Sequence, residues 1–245
     1  MKIDLFNGDC LIEMDKLIKE GVRVDAIITD PPYGTTACKW DSIIPFDEMW
    51  ERLNKLIKPN GAIVLFGSEP FSSALRMSNI KHYKYDWIWL KHQCTNFLNS
   101  KHQPLRNVEN VCVFCDGKSK YYPIMVKGKK QLKSTGGNSS CYGDFTYKPH
   151  YSELYFPKQT LDIPQIRVKN GHPTQKPVKL MEYLIKTYTN ENETILDFTA
   201  GSFSTGVACV NTNRNFIGIE LDKKYFDIGV DRTEKAKQNY QPELF

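Results

Sequence analysis

Short apolar runs alternate with stretches of helical periodicity along this chain. Val24–Thr29 (VDAIIT) reads as a buried strand that stops just before Pro31. Residues 62–66 (AIVLF) form a second such run, launched by Pro59-Asn60-Gly61. Residues 87–90 (WIWL), 111–114 (VCVF), 194–196 (TIL) and 216–219 (FIGI) follow the same pattern. Helical spacing lies between them. Phe46, Met49, Trp50, Leu53 and Ile57 recur on one face, as do Leu180, Met181, Leu184, Ile185 and Tyr188. Strands that alternate with helices predict an α/β fold with a mostly parallel sheet and an antiparallel edge. Residues 116–165 break the alternation, and 136–140 (GGNSS) is the most loop-like part. This stretch reads as a small irregular insertion between a first half, 1–115, and a second half, 166–245.

A length of 245 residues suits one large domain with such an insertion. The formal net charge is +5, which alone says little. Its distribution says more. Residues 118–170 hold nine Lys and one Arg against Asp144, Glu153 and Asp162, so this segment carries the whole excess. It also holds six of the 13 tyrosines. Basic residues interleaved with aromatics suit a polyanion, with Lys127, Lys129, Lys130 and Lys133 as the phosphate contacts. A lysine-rich solvated loop is the plainer alternative. The seven cysteines are odd in number and scattered, which argues against a disulfide scaffold and for a reducing cytosol. No run of about 18 apolar residues is present, so no membrane span is expected. The opening MKIDLFNGDC is too polar for a secretory signal, so a cytoplasmic location is expected.

Three motifs carry candidate chemistry. Asp30-Pro31-Pro32-Tyr33-Gly34 directly follows the VDAIIT strand, and ligands in open α/β sheets sit beyond the carboxyl ends of strands. Two prolines fix the backbone and withhold two N–H donors, leaving carbonyl acceptors, one carboxylate and one ring. That set suits a planar group bearing an amine. A proline-stiffened turn capped by Asp is the structural alternative.

The second motif runs Ile195-Leu196-Asp197-Phe198-Thr199-Ala200-Gly201-Ser202-Phe203-Ser204-Thr205-Gly206. Small residues allow a ligand close to the backbone, and a helix start offers free N–H groups to an anion. About 20 residues on, Glu220 ends the next strand, where an acid can accept from ribose hydroxyls. The turn is neither GxGxxG nor a P-loop, so a nucleoside with an amino-acid tail fits it better than a phosphate. The third motif is His172-Pro173-Thr174-Gln175-Lys176-Pro177 before the helix expected at 178–189, an anion-friendly cap or simply a helix start.

The small-residue loop comes late, with about one strand left after it. The sheet must therefore take its other strands from residues 1–115. That implies a circularly permuted Rossmann-like sheet, with the Asp30 and Gly201 loops as neighbours.

These motifs, in this order, resemble the permuted, β-type amino-group DNA methyltransferases that use S-adenosylmethionine. The resemblance covers most of the chain except about 116–155. It implies methyl transfer to N6 of an adenine flipped out of duplex DNA at a specific site. Asp30, Pro31, Pro32 and Tyr33 would hold the base. Asp9 and Cys10, Asp197, Thr199, Ala200, Gly201, Ser202 and Glu220 would line the cofactor, with Thr174, Gln175 and Lys176 near its methionine end. The insertion would be the target-recognition region. A restriction endonuclease is the implied companion, and the state is a monomer or homodimer. N4 of cytosine as acceptor, or an inactive DNA-binding relative, is the rival. Phe203 departs from the family's Gly, and either points into the core or weakens cofactor binding. No metal is expected, since Cys112 and Cys115 lack a second ligand pair at zinc spacing.

Overall fold

The structure is a computed structural model that describes residues 1–35, 41–133, 137–139, 143–145, 150–166 and 175–240; side chains of 133, 137–139 and 143–145 fall outside the description. It divides into two compact units, Met1–Tyr122 with Gln159–Phe245, and Pro123–Lys158.

The larger unit is built on one eight-stranded sheet. Its strands, in chain order, are β1 (Ile3–Asn7), β2 (Val24–Thr29), β3 (Ile57–Gly67), β4 (Tyr83–Thr95), β5 (Arg106–Phe114), β10 (Thr160–Asp162), β11 (Thr194–Asp197) and β12 (Asn215–Glu220). The spatial order is β1-β12-β11-β2-β3-β5-β4-β10. Every pairing is parallel except those of β5 with β3 and β4. The antiparallel strand is thus interior and not the expected edge. The reason is β4, which pairs on the outer side of β5 and runs parallel to the rest of the sheet, with β10 added in parallel outside it, Leu161 opposite Trp89. β1 and β10 are strands that hydrophobic periodicity did not mark.

Helices cover both faces. The wholly buried β2 sends Ala26 and Ile28 to one core and Ile27 to the other, and a register shift between Val24 and Ala26 puts Val24 with Ile27. On one face lie α1 (Cys10–Lys19), α2 (Phe46–Leu56) and α3 (Phe71–Ser78), which contribute Met14, Leu53 and Leu75. On the opposite face lie α4 (Val178–Tyr188), α5 (Ser204–Asn211) and α6 (Lys223–Asn239), with Leu184 and Cys209 fully buried. Deep in that core the Tyr188 hydroxyl accepts from Trp87 Nε1 at 2.7 Å, which satisfies two buried polar groups at once.

The smaller unit corrects the expectation of irregularity. β6 (Val126–Lys133) pairs antiparallel with β9 (His150–Tyr155), and β7 (Gly137–Ser139) with β8 (Gly143–Phe145), within the stretch expected to be loop. Hydrophobic alternation is weak because the described side chains of β6 are exposed, so backbone pairing rather than burial defines the ribbon. Lys127, Lys129 and Lys130 all lie on it and are exposed. Lys127 pairs with Glu153 at 3.5 Å, and Lys130 sits over the Tyr151 ring.

Candidate active site

Four adjacent parallel strands, β1, β12, β11 and β2, deliver their carboxyl-terminal loops to one end of the sheet. The loops bring together Asp9 and Cys10, Glu220, Thr199–Ser202, and Asp30–Tyr33. With Gln175, Lys176 and Asp197 they line a single cleft of about 530 Å³. Thr174 lies outside the described residues, as does the side chain of Lys133. All the other expected cofactor and base residues meet here. The Asp30 and Gly201 loops are neighbours because β2 pairs with β11, Ile27 opposite Leu196.

Each oxygen of the Asp30 carboxylate accepts one hydrogen bond. Tyr33 donates its hydroxyl to Oδ1 at 2.5 Å, and Lys176 Nζ donates to Oδ2 at 2.6 Å. Lys176 also lies 3.2 Å from Oε2 of Glu109, whose Oε1 accepts from Lys91 at 2.9 Å. Two lysines thus alternate with two carboxylates, from the loop after β2 through the segment before α4 to β5 and β4. The Lys176 ammonium further sits over the rings of Phe66, Trp89 and Tyr33, at 5.1, 5.9 and 5.9 Å. Burial pushes the Asp30 carboxyl above its ordinary value, against the pull of Lys176. Burial likewise raises Glu109, but there Lys176 and Lys91 outweigh it and the carboxyl is held low. Burial would lower Lys176, yet the two carboxylates hold its ammonium above the usual value. Lys176 was expected only near a cofactor tail. Within the same cleft its partners are Asp30 and Glu109. Lys91 and Glu109 escaped the sequence reading, because an isolated Lys and Glu on neighbouring strands carry no local signature.

Tyr33 stacks on Phe71 with ring centroids 5.0 Å apart. The backbone after it is captured by Asp41, which accepts from Gly34 N and Thr35 N, both at 2.9 Å. That role of Asp41 was also not evident from sequence.

The late loop is braced from behind. Asp197 accepts from Thr29 at 2.6 Å and Thr205 at 2.5 Å, and burial pushes its carboxyl up to about 6. The Thr199 hydroxyl reaches the Asp30 carbonyl at 3.1 Å, tying the two loops together. Glu220 accepts from Gly201 N and Asp222 N, each at 2.8 Å. The Ser202 hydroxyl donates to Gln175 Oε1 at 2.9 Å. Asp9 caps α1 through Leu11 N and Ile12 N while facing the cleft.

Phe203 resolves in favour of the core. Its backbone keeps the left-handed conformation, φ 57°, that a glycine would adopt easily. Its ring is fully buried between Phe216 and Phe226. The space comes from Gly229, where a Cβ would stand 2.5 Å from the Phe203 ring. The cleft is left open. Cys112 and Cys115 are free thiols buried in the main unit, and no metal-binding cluster occurs among the described residues.

A family model described as DNA methylase matches residues 24–231. The chain belongs to this family. It is therefore a DNA methyltransferase, and the methyl donor of this enzyme class is S-adenosylmethionine. The chain is 28% identical to the DNA adenine methyltransferase YhdJ of Escherichia coli (strain K12), covering 98% of this chain and 85% of that protein. It is 29% identical to the type II methyltransferase M2.LlaDCHI of Lactococcus lactis subsp. cremoris, covering 95% and 89%. Among solved structures it resembles the M1.HpyAVI–SAM complex, with TM-score 0.67, 28% identity and coverage of 94% and 99%. The cytosine-N4-specific PvuII methyltransferase, at 15% identity and TM-score 0.70, shares the fold. Among the described residues no helix is long and apolar enough to cross a membrane.

Proposed function

We propose that this methyltransferase modifies N6 of adenine, flipped out of duplex DNA at a specific site, in the permuted β-type arrangement. The observation that carries the reading is the Asp30 carboxylate. It lies in the same cleft as the Gly201 loop and Glu220, joined to that loop through Thr199.

The cleft suits S-adenosylmethionine in size and in chemistry. About 530 Å³ falls within the range of small-molecule sites, roughly 300–1,000 Å³. Glu220, whose two oxygens each accept one backbone bond, retains lone pairs for a ribose diol. Ala200 and Gly201 leave the backbone open to the nucleoside, Asp9 and Cys10 border it from β1, and Gln175 with Ser202 stand on the other side. The bound cofactor supplies an electrophilic methyl group. The chain's own residues then do positional work. Asp30 accepts a hydrogen bond from the exocyclic amine, and the rigid Pro31-Pro32 turn holds that acceptor still. Tyr33 offers its ring to the base, a contact worth about 1–3 kcal/mol. Lys176 and Tyr33 now occupy the Asp30 oxygens, so an incoming amine replaces or joins one of these donors. Positioning and electrostatics of this kind account for most of such a rate enhancement.

The Pro123–Lys158 unit, within the 116–165 insertion, is assigned to target recognition, with Lys127, Lys129, Lys130 and Lys133 on phosphates. Residues 1–115 then supply the base-holding half and 166–245 the cofactor half. The name of the YhdJ relative favours adenine as target. We further assign the chain a restriction endonuclease as companion and a cytoplasmic location.

Transfer of labelled methyl to unmethylated duplex DNA, followed by nucleoside analysis, tests the reading. Label in N6-methyladenine, absent with Asp30→Asn of unchanged thermal stability, is expected. Label in N4-methylcytosine overturns the choice of base.

A further inference from the structure

Between Thr95 and Arg106, which pair at the roots of β4 and β5, ten residues leave the sheet. β4 is antiparallel to β5, which is antiparallel to β3, so this loop emerges at the same end of the sheet as Asp30. Its root is part of the cleft: Lys91, Gln93, Thr95 and Glu109 all line it. Phe97 lies only two residues beyond Thr95, a span of at most about 7 Å.

The tip is a built turn. Phe97–Asn99 form a single 3₁₀ turn entered through Asn96 at φ 66°. Ser100 N bonds to the Phe97 carbonyl at 3.2 Å, and His102 N and Gln103 N bond to the Asn99 carbonyl at 2.9 and 3.0 Å. Asn99 Nδ2 donates to Asn96 Oδ1 at 2.7 Å. This ordered turn points its two largest apolar side chains at solvent, Phe97 at 72% exposure and Leu98 at 84%. Single exposed apolar residues are ordinary, but an adjacent pair at the tip of a turn beside a substrate cleft is not. The flanks are polar or cationic, with Lys101, His102 and Arg106, and no acidic residue occurs between Lys91 and Arg106. An apolar tip on a cationic stem matches the stacked bases and phosphates of a duplex.

We propose that Phe97 and Leu98 form a wedge that enters the DNA stack where the target base leaves it, while Lys101 and Arg106 meet the flanking phosphates. The inference rests on the base-flipping reading of the Asp30 cleft. Extruding a base leaves a gap between its neighbours, and apolar side chains inserted between base steps offset the missing stacking. The wedge adds nothing to the chemical step. It acts on the flipping equilibrium.

The test compares wild type with Phe97→Ala/Leu98→Ala on two oligonucleotide duplexes carrying the target site, mapped by methylation-sensitive sequencing of DNA the wild type has modified. In one the target base is paired; in the other it faces an abasic position and is already loose. The expected loss in kcat/KM is about tenfold to a hundredfold on the paired duplex, with near wild-type rates on the loosened one. S-adenosylmethionine affinity and thermal stability stay unchanged, since both side chains are solvent-exposed. An equal loss on both duplexes, or none on either, overturns the wedge. So does a halved sedimentation mass without rescue, which assigns the pair to self-association. Failure of wild type on both duplexes instead overturns the reading of function beneath it.

Discussion

Lys176 Nζ stands 2.6 Å from Oδ2 of Asp30 and 3.2 Å from Oε2 of Glu109, so one buried ammonium bridges the base-holding loop and the interior antiparallel strand. Removing it leaves Asp30 without a cation in a poorly solvated place, while Glu109 keeps Lys91. Lys176→Met should cost about 3–5 kcal/mol in urea unfolding, as breaking a buried pair does. Adding Asp30→Asn should recover part of that loss, because the carboxylate left without a cation is gone. Methyl transfer should stay low in both, since the Asp30 carboxylate has lost its orienting partner in one and is absent in the other. Additive losses in the double variant would disprove the coupling.

Asp41 anchors the chain just past Tyr33 through Gly34 N and Thr35 N. Asp41→Ala should lower kcat on DNA while leaving S-adenosylmethionine affinity, measured calorimetrically, near wild type. A matching loss of cofactor affinity would place its effect elsewhere in the cleft.

Asp197 gives a pH signature of unusual sign for a carboxylate. Burial raises its folded value from 3.8 to about 6. The folded state then binds more protons than the unfolded one between those values, so stability falls as pH rises through that window. The upper bound is about 3 kcal/mol. Denaturant midpoints at pH 4 and 7 should therefore shift relative to each other in Asp197→Asn, which lacks this ionisation. An unchanged pH dependence would contradict it.

Gly229 and Phe203 form a packing pair. A Cβ at Gly229 would stand 2.5 Å from the ring, so Gly229→Ala should destabilise by about 1–3 kcal/mol. Phe203→Leu in the same chain should restore part of the melting temperature by removing ring volume.

The basic ribbon predicts salt dependence. Replacing Lys127, Lys129 and Lys130 with Gln should flatten the slope of log affinity against log salt by about 0.9 for each phosphate left without its lysine. An unchanged slope in nitrocellulose-filter or anisotropy titrations would remove these lysines from the DNA interface.

The sequence by itself determined those features whose causes are local. The apolar run Val24–Thr29 could only be a buried strand, and Pro31-Pro32 could only stiffen what followed. The order of the Asp30 and Gly201 motifs required the late strand to rejoin the early half, as β11 does beside β2. Tertiary structure decided whatever depended on strand order and long-range pairing. It set β5 inside the sheet because β4 pairs on its outer side, and it placed the three-residue β10, too short a strand to show a hydrophobic period, beyond β4 across about 70 residues of chain. It turned Phe203 inward because Gly229, on a distant helix, left room for the ring. It also joined Lys176 to Asp30 and Glu109, since ion pairing follows distance in space and a charged residue says nothing of its partner until the chain is folded around it.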